Sequence, residues 1–568
     1  MIQAIPNYAM SCFKLPAGFC DDLCSMANRF WWGQRKGERK IHWLGKQKLI
    51  RIKSEGGIGF RDLKLFNKAL LARQGWRLLQ NPSSLVFRML KAKYFPNTSF
   101  LEALSPGNAS FIWRSICEAK SVLHDGLRWR VGNGEKIKIW GDKWLPSNST
   151  YQVISPKPAL DAPVMVHQLI CNDTMTWDVN LLDRFFLPRD VEAIKSIPLS
   201  HRRPADLLIW SGTKRGVFSV RSAYHMLLNQ SQVGEPTSSS DSGGQRKQPW
   251  TAIWAATVQP KVKLFIWHAC KAIVPTQTKL FDKGISQTYS CLRCGDEAEM
   301  VDHLLCGCEF AQRVWKESPA MIPPSYNLSM PFAEFISRCV EDLGSPALEI
   351  VFTTAWALWK ARNALFWNAQ NSNVSEICQH AAELALDFLE TRQQCEVPVG
   401  SVSSTLKWQA PAEGNYKLNV SCHGGSNGSP MGLGSLIRDS LGLVMAAKCS
   451  KSVGNSSLLQ SQAKAVLLAI DFAFSIGFRR LEVEVGNQEL LGLINLNSPS
   501  LAPIGVLVDD IRNWVPLFHF ISFSFISKNC NKASRALATE AVSSNFEQVW
   551  LEDYPTCITS FVQMDSLQ

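Results

Sequence analysis

Between residues 291 and 308 the chain reads Cys291-x2-Cys294-x8-His303-x4-Cys308, and no other stretch restricts its fold so tightly. Two thiolates two residues apart can grip one face of a metal ion from a tight turn. A histidine and a third cysteine from the following short helix or loop complete a tetrahedron. Four protein ligands leave no open position. The spacing therefore predicts a structural zinc site at Cys291, Cys294, His303 and Cys308, with Cys306 as the alternative to Cys308. The competing reading is a chance cluster of buried thiols. It suits the remaining cysteines, which behave as small apolar residues. The chain has 17 cysteines in all, an odd number scattered behind an N-terminus with no secretory pattern. A reduced, intracellular setting is expected rather than a disulfide framework.

At 568 residues the chain exceeds one ordinary core, so several domains are expected. With 46% hydrophobic and 19% charged residues it is not disordered wholesale. No run of 18 apolar residues predicts a membrane span. The net charge of +12 is uneven: residues 1–150 hold 25 Lys+Arg against 10 Asp+Glu, a net of +15, and the rest is slightly acidic. Such asymmetry points to a polyanion partner. Trp31, Trp32, Trp43 and Trp76 are interleaved with Arg35, Lys36, Arg39, Lys40, Lys46, Lys48, Arg51 and Lys53. These basic residues are the candidate nucleic-acid contacts, since bases stack on aromatic faces while cations hold phosphate. For most of the tryptophans core filling is the preferred reading. Gly56-Gly57-Ile58-Gly59 lacks a full phosphate-binding pattern and receives no such role.

The expected organisation is multidomain. Residues 1–150 read as a basic, mostly helical region and 151–248 as an irregular connection. The latter carries a strand-to-helix passage capped by Ser222 and ends in a linker, Gly234 to Gln248. Residues 249–330 form a small helical zinc-binding module, and 331–400 a helical connector. Residues 406–552 follow an α/β order. Strands at Tyr416–Val420, from Gly432, and at Leu443–Cys449 precede a helix at Leu459–Phe474. Strand Leu481–Val485, helices Gln488–Leu496 and Ile504–Val515, strand His519–Ile526 and helix Asn531–Ser543 complete it. Three antiparallel strands, then helix, strand, helices, strand and helix, predict an RNase H-like fold with a five-stranded mixed sheet.

Several runs resemble the downstream part of plant LINE-type (non-LTR) retrotransposon reverse-transcriptase-like proteins. Trp267-His268-Ala269, Pro275-Thr276, the cysteine–histidine cluster and Val314-Trp315 are similar to the reverse-transcriptase zinc-binding module. Pro6-Asn7-Tyr8-Ala9-Met10, Phe30-Trp31-Trp32-Gly33, Gly56-Gly57-Ile58-Gly59-Phe60-Arg61-Asp62 and Trp140-Gly141-Asp142-Lys143-Trp144-Leu145-Pro146 resemble the text behind the polymerase. A polymerase needs paired aspartates on a hairpin. The two Asp-Asp pairs, Asp21-Asp22 and Asp509-Asp510, lie in helical contexts and read as solvated charges, so no polymerase activity is expected. A retroelement relative would suit a nuclear location, although the chain has no long Lys/Arg import run.

Lys417-Leu418-Asn419-Val420, Ile437-Arg438-Asp439, Ala463-Lys464-Ala465, Leu481-Glu482-Val483-Glu484 and Asn531-Lys532-Ala533 resemble the RNase H domain of plant retroelements. That resemblance implies hydrolysis of RNA in an RNA–DNA hybrid by two magnesium ions held on carboxylates. Carried over residue by residue, the carboxylate positions are occupied by Ser421, Gln462, Gly486 and Arg535. Glu484 is displaced along its strand, Asp471 points away round its helix, and His423 could supply one neutral ligand at most. The expectation is a degenerate domain with no catalytic residues, needing magnesium only if the site were active. Three readings are open: a non-catalytic binder of RNA, DNA or hybrid; an active hybrid ribonuclease; and a retroelement fragment with no selected role or only protein contacts.

Overall fold

A computed structural model describes residues 7–34, 40–146, 150–158, 162–232, 249–295, 297–323, 325–326, 328–395, 408–424, 430–452, 457–496, 498–544 and 546–566. Among them no helix is long and apolar enough to cross a membrane. The linker expected at 234–248 lies outside the described residues, and so does the junction at 400–406 between the connector and the C-terminal domain. The chain divides into two compact units, each drawn from separate stretches of sequence: 1–7, 15–66 and 234–401 form one, and 8–14, 67–233 and 402–568 the other. The basic N-terminal region is thereby split near residue 66 rather than standing as a domain of its own.

The first unit is helical. Helices α1 (Trp250–Ala255), α2 (Pro260–Cys270), α3 (Glu309–Glu317), α4 (Ala347–Asn368) and α5 (Val374–Cys395) surround one core that includes Ile253, Ile266, Trp267, Leu305, Val314, Phe335 and Phe352. Pro260 opens α2 at a position whose N–H would be unpaired in any case. Trp31, Trp32 and Trp43 pack half-buried against this core. The Gly56–Gly59 stretch is a packing loop. Trp267, fully buried, donates its indole N–H to Gly56 O at 3.0 Å. A Cβ on Gly57 would fall 1.8 Å from Arg51 O, so only glycine fits there.

In the second unit, strands β1 (Leu127–Arg130) and β2 (Leu207–Trp210) pair antiparallel, across the boundary expected at residue 150. The helix at Val220–Gln232 is capped by Ser219, whose Oγ accepts from Ser222 N at 3.1 Å. Ser222, the expected cap, instead accepts from the Trp210 indole at 2.8 Å.

The C-terminal sheet is built from β3 (Tyr416–Gly424), β4 (Met431–Arg438), β5 (Val444–Ser452), β6 (Arg480–Val485), β7 (Phe520–Phe525) and β8 (Gln548–Leu551). It has six strands, one more than expected, in the order β8-β5-β4-β3-β6-β7. The extra strand β8 adds antiparallel to β5, through Trp550 opposite Ala447. It is short and mostly exposed, so its apolar pattern is too weak to mark it in sequence. β3–β4 and β4–β5 are antiparallel, whereas β3–β6 and β6–β7 are parallel. This is the RNase H-like order.

Helices α6 (Leu458–Ser475), α7 (Gln488–Ile494) and α8 (Gly505–Trp514) cover one face of the sheet, and α9 (Lys532–Ser543) packs on the other. Two glycines on β4 make the second packing possible. A Cβ on Gly432 would lie 1.9 Å from Ala538 O, and one on Gly434 2.3 Å from Ser534 O. The α9 backbone therefore rests directly on the strand.

Asp509-Asp510, expected to be solvated, join parts of this unit instead. Asp509 stands 3.7 Å from Arg130 and accepts from Ser500 N at 3.1 Å. Asp510 accepts from Ser200 Oγ at 2.8 Å, and burial raises its carboxyl above the usual range. Asp21 does lie half-exposed, beside Lys64 and Lys46.

Candidate functional site

The cysteine–histidine motif closes on itself. Cys291 N donates to Glu297 O at 2.7 Å, and Gly295 N to Cys291 O at 2.8 Å. Gly295 takes a positive φ of 81°, which allows the tight turn carrying Cys291 and Cys294. On the other side, Cys308 N donates to His303 O at 2.7 Å. This wide i→i+5 turn lays the His303 ring and the Cys308 thiol beside the first pair. The donor atoms of Cys291, Cys294, His303 and Cys308 all lie within 4.8 Å of one another.

The spacing suits zinc. Bond lengths of about 2.3 Å to sulfur and 2.0 Å to nitrogen place tetrahedral ligand atoms roughly 3.5–3.8 Å apart. Cys291 Sγ and Cys308 Sγ are 4.0 Å apart, and Cys294 Sγ and His303 Nε2 are 3.4 Å apart. His303 Nδ1 faces Glu297 Oε2 at 2.6 Å, where a carboxylate fixes the ring orientation for metal binding. The hydrogen bond shared with Cys291 pulls the Cys308 thiol down to about 7 and pushes Cys291 up to about 12. Backbone N–H groups of Phe310 and Ala311, at the start of α3, lower Cys308 further. Cys306 is fully buried outside this group, and burial pushes its thiol well up.

Behind the cluster lies an ion pair that motif spacing does not reveal. Glu299 is fully buried and takes the Arg362 guanidinium, with Nη2–Oε1 at 2.6 Å. Glu299 also accepts from Gln277 N at 2.8 Å, tying the metal loop to α4 and to the chain before it.

Of the predicted basic residues, Arg35, Lys36 and Arg39 lie outside the described residues. Lys46 turns to Asp21 at 3.5 Å, and Lys40 is exposed. Lys53 lies beside α1, and the Lys48 and Arg51 charges act on Lys271. Lys53 stands over the Trp254 ring at 4.9 Å, and Lys271 over Trp250 at 4.2 Å. Burial, then the nearby Arg51 and Lys48 charges, lower the Lys271 ammonium. Lys271, Trp250 and Trp254 belong to this basic and aromatic cluster but were not singled out by sequence. Two hundred residues separate them from the basic run, so nothing local links them.

In the C-terminal domain, Ser421, Gln462, Gly486 and Arg535 line one cavity of about 260 Å³. β3 and β6 lie parallel with Asn419 beside Glu484, and two residues further on they reach Ser421 and Gly486. Gln462 comes from α6 and Arg535 from α9. His423, Lys528 and Asn531 also line the cavity, and among the described residues no carboxylate does. Glu484 is turned away into a buried network. It accepts from Asn419 Nδ2 at 2.6 Å and lies 3.4 Å from Lys417 Nζ. Asn419 Oδ1 accepts from Arg438, which is fully buried and bonds Asp565 at 2.7 Å. Asp471 is exposed on α6. Hydroxyl, amide and cationic groups cannot neutralise a pair of divalent ions, so these residues do not fit the two-magnesium centre that the fold implies.

A model for the zinc-binding region in reverse transcriptase matches residues 218–315, and one for reverse transcriptase-like domains matches 417–541. The Arabidopsis thaliana protein named "Putative ribonuclease H protein" is 24% identical over 586 residues, covering all of this chain and 92% of that protein. An uncharacterized mitochondrial protein of Arabidopsis thaliana is 43% identical over 144 residues, covering 25% of this chain and 94% of that protein. Among solved structures, RNase H1 from Halobacterium salinarum NRC-1 is 20% identical, covering 23% of this chain and 98% of that chain, with a TM-score of 0.20. The chain belongs to the reverse-transcriptase-like family in which a reverse-transcriptase zinc-binding module precedes an RNase H-like domain.

Proposed function

We propose that this protein binds nucleic acid without cleaving it, and that its RNase H-like domain has lost the metal centre of a hybrid ribonuclease. The observation that carries this reading is the cavity at Ser421, Gln462 and Gly486, which has no carboxylate among its described lining residues. Two divalent ions bring four positive charges, which need several anionic ligands to bind. Arg535 at the cavity wall adds a further positive charge that opposes them. Zinc at Cys291, Cys294, His303 and Cys308 is structural in this reading, because four protein ligands leave no position for water. Lys48, Arg51 and Lys53, beside the half-buried Trp254, supply a surface for phosphate and for a stacked base.

The test is cleavage of a labelled RNA–DNA hybrid in magnesium or manganese. It compares the parent chain with a Ser421→Asp/Gln462→Glu/Gly486→Asp variant. Gly486 has open space where a Cβ would stand and an ordinary backbone conformation, so aspartate fits there. The expected result is an inactive parent and measurable cleavage by the variant. Metal-dependent cleavage by the parent, free of contaminating nuclease, contradicts the proposal.

A further inference from the structure

The residues that replace the expected carboxylates do more than empty the cavity. Its lining includes Arg535 on α9, Lys528 before it and His423 at the end of β3, with the Ser421 hydroxyl on the same strand. Arg535 and Lys528 are exposed, and neither has an ion-pair partner among the described residues. Glu484, two residues before Gly486 on β6, does not line the cavity and is held instead by Asn419 and Lys417. The result is a concave site with uncompensated positive charge, where the fold implies a cluster of negative charge.

From this reversal we propose that the cavity binds a phosphate group directly, with no divalent ion between phosphate and protein. This deepens, and rests on, the nucleic-acid-binding reading above. In a two-metal centre, carboxylates hold cations and the cations hold the phosphate. Here guanidinium and ammonium groups take the place of the cations. An Arg fork matches two phosphate oxygens, and Lys adds a point charge. The Ser421 hydroxyl is available as a donor. A water molecule's share of liquid volume is roughly 30 Å³. A cavity of about 260 Å³ therefore has room for a phosphate with its ester oxygens. The chemistry is shared by a backbone phosphodiester and by free inorganic phosphate.

The experiment uses the full chain in magnesium-free buffer without chelator, so that bound zinc stays in place. Binding of a labelled RNA–DNA hybrid is followed across a salt series, with and without added magnesium. Three chains are compared: the parent, Arg535→Ala/Lys528→Ala in the cavity, and Lys48→Ala/Arg51→Ala in the other unit. A second arm measures thermal stabilisation by inorganic phosphate. The parent is expected to bind hybrid equally well with and without magnesium. The cavity variant is expected to bind about tenfold more weakly, with the slope of log affinity against log salt reduced by about 2, as for two lost phosphate contacts. Stabilisation of the parent but not of the cavity variant by inorganic phosphate, with equal hybrid affinity in the two, supports the phosphate site and identifies the small anion as its ligand. Hybrid affinity and phosphate response both unchanged by the cavity substitutions overturn the proposal, as does parent binding that requires magnesium. If the parent binds no hybrid at all, the broader nucleic-acid reading fails, and the phosphate arm still decides the cavity.

Discussion

Single residues decide the metal chemistry of both sites. Cys308 and Cys306 are two positions apart, and spacing leaves either as the fourth ligand. The i→i+5 turn favours Cys308, because it swings Cys308 to His303 and leaves Cys306 in the core. Cys308→Ser is expected to abolish stoichiometric zinc, measured by elemental analysis of the purified chain, while Cys306→Ser retains it. Equal zinc content in the two variants would contradict this assignment. Arg362 gives a second residue-scale prediction. Removing it leaves Glu299 charged and fully buried. Arg362→Ala should cost about 3–5 kcal/mol of stability in denaturant unfolding, and a paired Arg362→Met/Glu299→Gln change much less. The clustering of Cys291, Cys294, His303 and Cys308 was legible from spacing. This ion pair was not, because its partners lie 63 residues apart and neither belongs to a local motif.

At the scale of elements, helices and strands with clear apolar periods appear where the pattern places them. α6 buries Ala463, Val466 and Ile470 on one side, with Leu459, Leu467 and Phe474 packed at its margin. β8 escaped notice because an exposed four-residue edge strand carries almost no alternation. The glycines of β4 look like weak strand formers in sequence, and only the docking of α9 explains them. Gly432→Ala should destabilise the C-terminal domain by about 1–3 kcal/mol, read from thermal or denaturant unfolding, because a methyl group has no room against Ala538 O. An unchanged midpoint would show that α9 does not rest on the strand.

Helix α2 carries a pH signal. Burial pulls His268 down from its ordinary 6.5 to about 4, and its Nε2 is buried with no hydrogen-bond partner among the described residues. The unfolded chain takes up this proton first as the pH falls. His268 therefore has no effect on stability above about pH 6.5. Stability declines between 6.5 and about 4 by at most about 3 kcal/mol, and the loss levels off below that. His268→Gln should flatten this part of the stability–pH curve. A parent curve that is already flat between pH 6.5 and 4 would contradict the burial of this ring.

For the whole molecule, composition exposed the concentration of charge but not its distribution. The basic stretch read as one region separates near residue 66, because the Gly56–Gly57 loop fits under Trp267 and Trp250 while later residues join the C-terminal unit. Such long-range packing leaves no periodic trace in the sequence. The RNase H-like order was legible from the apolar periods of its strands and helices, whereas Ser421, Gln462, Gly486 and Arg535 were picked out only by resemblance. Their convergence on one cavity, and the cationic character of its wall, needed the fold.

The central claim is that this cavity cannot hold a pair of divalent ions. Manganese binding to the zinc-loaded chain, counted by electron paramagnetic resonance, tests it most directly. The parent should show no manganese bound in the cavity at millimolar free metal, while Ser421→Asp/Gln462→Glu/Gly486→Asp should bind two ions. Two manganese ions on the parent, lost on further substitution within the cavity, would contradict the account.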